Sequence, residues 1–177
     1  MKLNLNKLYN KKPIYEHIIF LSVILVGILL DQLTKYLAVT YLEPEGSVPL
    51  IKGVLHLTYV ENPGAAFGML KDAPWLFNTV SILAVLGMGG FLFLGHSPNK
   101  LYSWAIALIV SGGVGNLIDR FSLKYVIDFI DFTLIDFAVF NGADSFVCIG
   151  AGLLILALIL DLVKEVKMKK GSNSNDN

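Results

Sequence analysis

Four long apolar runs limit what this chain can fold into more than any other feature. Crossing a bilayer as a helix takes roughly 20 predominantly apolar residues. Residues 15–37, 75–94, 101–118 and 144–163 each approach or meet that length. The first contains the uncharged stretch Ile18–Leu30 and continues through Asp31 and Lys35. A cleavable signal peptide would end in a small-residue motif, but DQLTK follows instead. Charged residues are 16% of the chain, against about 25% in soluble domains. The expected fold is therefore an all-α integral membrane protein, with four transmembrane helices in a single membrane domain over residues 1–177.

The connections refine this picture. Lys2, Lys7, Lys11 and Lys12 precede the first run, and Lys164, Lys167, Lys169 and Lys170 follow the last. By the positive-inside rule both termini are cytoplasmic, and the two acid-bearing loops face outward. The first outer loop, Tyr41–Pro74, contains SVPLIKGVLHLTYV, whose alternation predicts a small β-like element or hairpin outside the cytoplasm. The loop around Trp75 and the segment Ser122–Thr133 are candidate lids. The tail from Gly171 to Asn177 is polar and expected to be disordered. A formal net charge of +0 gives no reason to expect a nucleic-acid partner. The single Cys148 lies in an apolar run and reads as a small buried hydrophobe.

Polar residues gather at the predicted outer ends of the helices. The groups are Asp31-Gln-Leu-Thr-Lys35, Asn62-Pro-Gly64 with the following Ala-Ala-Phe-Gly68, Gly115-Asn116 with Asp119-Arg120, and Asn141-Gly-Ala143-Asp144-Ser145. An ionisable group at membrane depth costs about 2.5–3.5 kcal/mol on insertion scales, which makes each a functional candidate. Plainer roles stand beside the functional ones. Asp31 and Lys35 have the i,i+4 spacing of a helical ion pair. Asp119 and Arg120 could tie off a helix end, and Asn62-Pro-Gly64 reads as turn chemistry.

The stretch YVIDFIDFTLIDFAVFNGADSF carries Asp128, Asp131, Asp136 and Asp144 with no basic residue. Any one of Asn141, Asp144 and Ser145 could cap the fourth helix, but capping accounts for only one of them. If the Asp128 and Asp144 carboxyls meet, they resist double ionisation, so one keeps a proton while the other does not. A pair in that state can take a proton from water and give one to a carbonyl or a leaving nitrogen. No Ser–His, Cys–His, zinc or phosphate-loop pattern competes. The glycines of SGGVGN read as helix-packing positions. The main alternative is a small proton-coupled transporter or channel, which would spread its acids through the membrane depth.

DQLTK, NPGAAFG, GGVGNLIDR with VIDF, and FNGADS, in this order on four spans, resemble the lipoprotein signal peptidase (signal peptidase II) family. The resemblance implies an aspartyl endopeptidase of the bacterial cytoplasmic membrane, working near the outer leaflet. It would remove signal peptides from diacylglyceryl-modified prolipoproteins by cutting before the lipidated cysteine. It implies Asp128 and Asp144 as catalytic. Asn62, Asn116, Arg120, Asn141, Asp31, Asp119, Gly64 and Ala143 become substrate-binding or supporting positions, while Asp131 and Asp136 lie in the intervening loop facing water or headgroups. The expected partners are the lipidated precursor and membrane lipids, the expected state is a monomer, and neither a metal nor an organic cofactor is expected.

Overall fold

The computed structural model describes residues 13–64, 74–95 and 97–174. Its elements run α1 (Ile14–Tyr41), β1 (Ser47–Ile51), β2 (Leu55–Asn62), α2 (Pro74–Phe93), α3 (Lys100–Ser122), β3 (Val126–Asp131), a 3-10 turn (Thr133–Ile135) and α4 (Gly142–Ser174). All four helices are long and apolar enough to cross a membrane. At 28 residues α1 spans about 42 Å, more than a hydrocarbon core of about 30 Å. Its last turns reach the sheet, where Ala38 and Leu42 pack against Ile127. Helix α4 continues past Gly171, where the sequence predicts disorder, as far as Ser174. The segment DLVKEVKMKK before it is rich in straight-chain helix formers, which carry the helix on. The last three residues lie outside the described ones.

Local chemistry sets the helix ends. Pro13, with φ −63°, leads into α1. Asn99 caps α3 by accepting from the N–H groups of Leu101 and Tyr102 at 2.9 and 3.3 Å. The bundle is built around α3, which packs against α1, α2 and α4. Its buried face carries Ser103, Ala105, Ala107, Ser111, Gly112 and Gly115, small residues that let helix backbones approach. A Cβ on Gly112 would collide with the Ala143 carbonyl, so the glycine reading of SGGVGN holds. Phe20, Ile24, Leu92, Ile106 and Val110 fill one end of the core. Outward-facing Leu29, Leu83, Leu86 and Leu162 are more than half exposed, as lipid-facing residues are.

The start of α1 and the later turns of α4 lie at the same end of the bundle, with the α2–α3 connection. There His17 Nε2 approaches the Phe93 carbonyl (3.1 Å), and Tyr102 Oη donates to Asp161 (2.9 Å). At the other end stands a three-stranded antiparallel sheet in the order β1-β2-β3. The hairpin matches the alternation read from the sequence. The third strand is new, and it corrects the idea of Ser122–Thr133 as a lid. Val126–Asp131 pairs with β2 on one side, and on the other Phe140 exchanges backbone bonds of 2.8 and 3.1 Å with Ile130. A strand bonded on both edges is a fixed wall. The other candidate lid falls largely on residues 65–73, outside the described ones, while Trp75 sits exposed in the first turn of α2.

Candidate active site

Asp128 stands on β3, opposite Val60 of β2. Its Oδ1 accepts from Asn141 Nδ2 at 2.7 Å and its Oδ2 from Asn62 Nδ2 at 2.9 Å. The side chain is buried. Burial pushes the carboxyl up to about 6, and the nearby Asp144 charge adds to this against the opposing pull of Asn62, Asn141 and Lys35. Asn62 is held in turn because its Oδ1 accepts the Gly64 N–H at 3.0 Å. That is the turn role expected of Asn-Pro-Gly, and it aims the Asn62 amide donor at Asp128.

Asp144 lies in the first turn of α4. Its backbone N–H donates to Asn141 Oδ1 (3.0 Å), while its Oδ2 accepts the Asn141 N–H (3.2 Å). This is a reciprocal capping box, so two of the three cap candidates share the job. Ser145 Oγ turns back to the Asn141 carbonyl at 3.0 Å. The second Asp144 oxygen accepts from Asn116 Nδ2 at 2.8 Å. Asn116 Oδ1 receives Asn141 Nδ2 (3.1 Å) and Lys35 Nζ (2.8 Å). Asn141 thus bridges the two aspartates, and Asn116 braces both Asn141 and Asp144.

A cavity of about 660 Å³ opens beside this cluster between α2, α3, α4 and β3. Asp128 and Asp144 both line it, together with Asn62, Asn116 and Arg120, and the rest of its wall is largely apolar. The Arg120 guanidinium stacks 4.5 Å from the Phe77 ring centre and donates to the Asn116 carbonyl at 3.4 Å. Asp31 and Asp119, each almost fully buried, form ion pairs with Lys35 at 2.9 and 2.8 Å behind the asparagines. Ala143 is buried and gives its N–H to Asp31 Oδ1 at 2.9 Å. All ten candidate residues therefore belong to one constellation. Asp131 and Asp136 do not. Asp131 accepts from Thr58 Oγ1 (2.8 Å) on the sheet and is half-buried, and Asp136 is an exposed residue with a left-handed backbone (φ 49°).

Two residues do more than the sequence reading assigned them. Lys35 looks like half of a local ion pair, but it also reaches Asn116, 81 positions away. Cys148 is exposed and lines the cavity, which corrects its reading as a buried hydrophobe. It lies four residues after Asp144, on the same side of α4. The spacing from Asp144 was the available signal.

Known proteins match this chain over most of its length. Residues 23–160 match the family described as Signal peptidase (SPase) II. A lipoprotein signal peptidase of Caldanaerobacter subterraneus subsp. tengcongensis is 51% identical over 125 residues, 70% of this chain and 84% of that protein. One from Halalkalibacterium halodurans is 42% identical over 159 residues, covering 88% of this chain and 99% of that protein. A solved structure described as a bacterial membrane enzyme superposes with a TM-score of 0.74 at 34% identity, over 81% of this chain and 88% of that one. Matched across most of its length, and superposing on a solved bacterial membrane enzyme, the chain belongs to the signal peptidase II family.

Proposed function

We propose that this peptidase is an aspartyl endopeptidase that works within the membrane on prolipoprotein signal peptides, with Asp128 and Asp144 as its catalytic pair. One observation carries the reading. Two carboxyls, one from β3 and one from the first turn of α4, share the wall of one largely apolar cavity, and the Asp144 charge acts on Asp128. Such a pair retains one proton where isolated carboxyls would both lose theirs.

The ionised carboxylate takes a proton from water as the water oxygen attacks the scissile carbonyl carbon. The protonated carboxyl gives its proton to the carbonyl oxygen, leaving a neutral tetrahedral diol. Collapse then breaks the C–N bond: the now-ionised carboxylate takes one diol proton while the protonated carboxyl gives its proton to the leaving nitrogen, which releases an amine and a carboxylic acid and leaves the pair with one proton again. Arg120, fixed against Phe77 on the cavity wall, is placed to hold a substrate carbonyl. The cut falls before a diacylglyceryl-modified cysteine, whose lipid suits the apolar lining.

In this reading the site faces the outer leaflet of the bacterial cytoplasmic membrane, with both termini cytoplasmic and the chain acting as a monomer. The exposed Val48, Leu50 and Ile51 of β1 give the sheet an apolar surface suited to lying on lipid. A proton-relay transporter fits less well. The apolar cluster of Phe20, Ile24, Ile106 and Val110 separates the acids of the site from Glu16 and Asp161 at the other end.

The test is cleavage of a lipidated precursor by the purified protein in detergent. Asp128→Asn and Asp144→Asn should each abolish turnover while folding and precursor binding persist. Near-normal activity in either variant defeats the assignment.

A further inference from the structure

Lys35 is 1% exposed, and all three of its ammonium protons are accounted for. They go to Asp31 Oδ2 at 2.9 Å, Asp119 Oδ2 at 2.8 Å and Asn116 Oδ1 at 2.8 Å. Each of the two carboxylates then holds a piece of backbone. Asp31 Oδ1 accepts the N–H of Ala143 (2.9 Å), the residue before Asp144. Asp119 Oδ2 accepts the N–H of Ile127 (3.2 Å), the residue before Asp128. Gln32 Nε2 ties the two carboxylates together at 3.3 and 2.9 Å.

We infer that Lys35 is a positioning residue for the aspartate pair: its ion pairs clamp the backbone ahead of each aspartate, and its third proton sets the Asn116 amide toward Asp144. The inference rests on the catalytic reading of Asp128 and Asp144. The amide argument is one of donor and acceptor type. Lysine only donates, so Asn116 must present its oxygen to Lys35, which leaves Nδ2 to face Asp144 Oδ1. Without Lys35 the Asn116 oxygen keeps only one of its two donors, Asn141 Nδ2, and the amide is held less firmly toward Asp144. Gly115 leaves the space this brace needs, because a Cβ there would stand 2.5 Å from Asp31 Oδ2.

A buried ion cluster that served only stability would behave differently from a clamp. Its removal would lower the folded fraction while the folded enzyme kept its rate constants. Loss of the clamp lowers kcat of folded enzyme on the order of 100-fold, the effect of a small misplacement of catalytic groups. KM changes by no more than about threefold, because Lys35 does not line the cavity. The Lys35 charge also acts on Asp128, whose other neighbours are Asp144, Asn62, Asn141 and the Arg120 cation on the same cavity wall. Losing a cation disfavours the ionised form, so the alkaline limb of kcat/KM moves to higher pH.

The experiment compares full-length wild type, Lys35→Met and Lys35→Arg in detergent, with a diacylglyceryl-modified precursor. Rate constants are normalised to folded protein, and the pH profile is recorded. Lys35→Met leaves two buried carboxylates unpaired and can fail to fold. The triple variant Asp31→Asn/Lys35→Met/Asp119→Asn removes all three charges and carries the test in that event. The inference predicts a kcat loss in every folded variant, and an upward shift of the alkaline limb in Lys35→Met. Wild-type kcat and pH profile in folded Lys35→Met or in the triple variant would overturn it. So would failure of both to fold, which would make the role of Lys35 structural. Asp128→Asn and Asp144→Asn run alongside. If those stay active the catalytic reading itself is wrong, whereas if they are dead and the Lys35 variants are normal, only the clamp is.

Discussion

Asn141 and Asp144 cap one another at the start of α4, through backbone N–H bonds of 3.0 and 3.2 Å to each other's side-chain oxygens. The same Asn141 extends Nδ2 to Asp128 at 2.7 Å. One side chain therefore both starts a helix and joins the two aspartates, and the roles can be separated. Asn141→Ala loses the cap, about 1 kcal/mol of stability, together with the bridge. Asn141→Ser keeps an oxygen for the Asp144 N–H but has no amide to reach Asp128. The serine variant should regain most of the lost unfolding temperature and little of the lost kcat. Recovery of both together would reduce Asn141 to a cap.

Asp128 should weaken the fold it sits in at neutral pH. Its carboxyl is held near 6 instead of 3.8, chiefly by burial. The folded state thus binds this proton more tightly than the unfolded chain does. The stability it contributes is full below the ordinary value and is lost as pH rises through about 6. Asp128→Asn imitates the protonated form. It should therefore be inactive yet more stable than wild type near pH 7.5, by at most about 3 kcal/mol. The gain is smaller to the extent that its new N–H₂ faces the amides of Asn62 and Asn141. The difference should close toward pH 4. Thermal unfolding in detergent across that range checks it, and a variant less stable than wild type at pH 7.5 contradicts it.

The glycines of α3 and α4 should separate by what surrounds them. Gly115→Ala brings a methyl against the Asp31 carboxylate, and Gly112→Ala drives one into the Ala143 backbone. Overpacking of this kind costs about 1–3 kcal/mol. Because Asp31 holds the N–H of Ala143 next to Asp144, Gly115→Ala should also lower kcat in the folded fraction. Gly152 has open space around it, so Gly152→Ala should be neutral or stabilise by up to about 1 kcal/mol. Equal losses at Gly115 and Gly152 would show that packing around the site is not what distinguishes them.

The helices were legible because an apolar run of spanning length has few other uses, and motif order then gathered the site residues. What the sequence did not reveal depends on partners far away along the chain. VIDFID becomes a strand by pairing with Leu55–Asn62 and Phe140, and nothing local distinguishes it from a loop following a helix. Lys35 has a sufficient partner in Asp31, so its bond to Asn116 left no trace in local spacing. Cys148 shows a limit peculiar to membrane proteins. An apolar neighbourhood signals burial in a soluble fold, but in a bilayer it describes the outside equally well.

Cys148 makes the cavity itself testable. It is the only cysteine in the chain, is exposed, and lines the same space as Asp128 and Asp144. Alkylating it with a bulky apolar maleimide should fill part of that space and block turnover. Cys148→Ala has no thiol to modify and should stay active and insensitive to the reagent. A lipidated precursor bound to Asp144→Asn, which cannot cleave it, should slow the labelling, because peptide and reagent compete for one volume. The measurement is labelled fraction by mass spectrometry against residual activity. Complete labelling with activity intact would place the substrate somewhere other than the cavity between α2 and α4, and the aspartates would then need a different approach path.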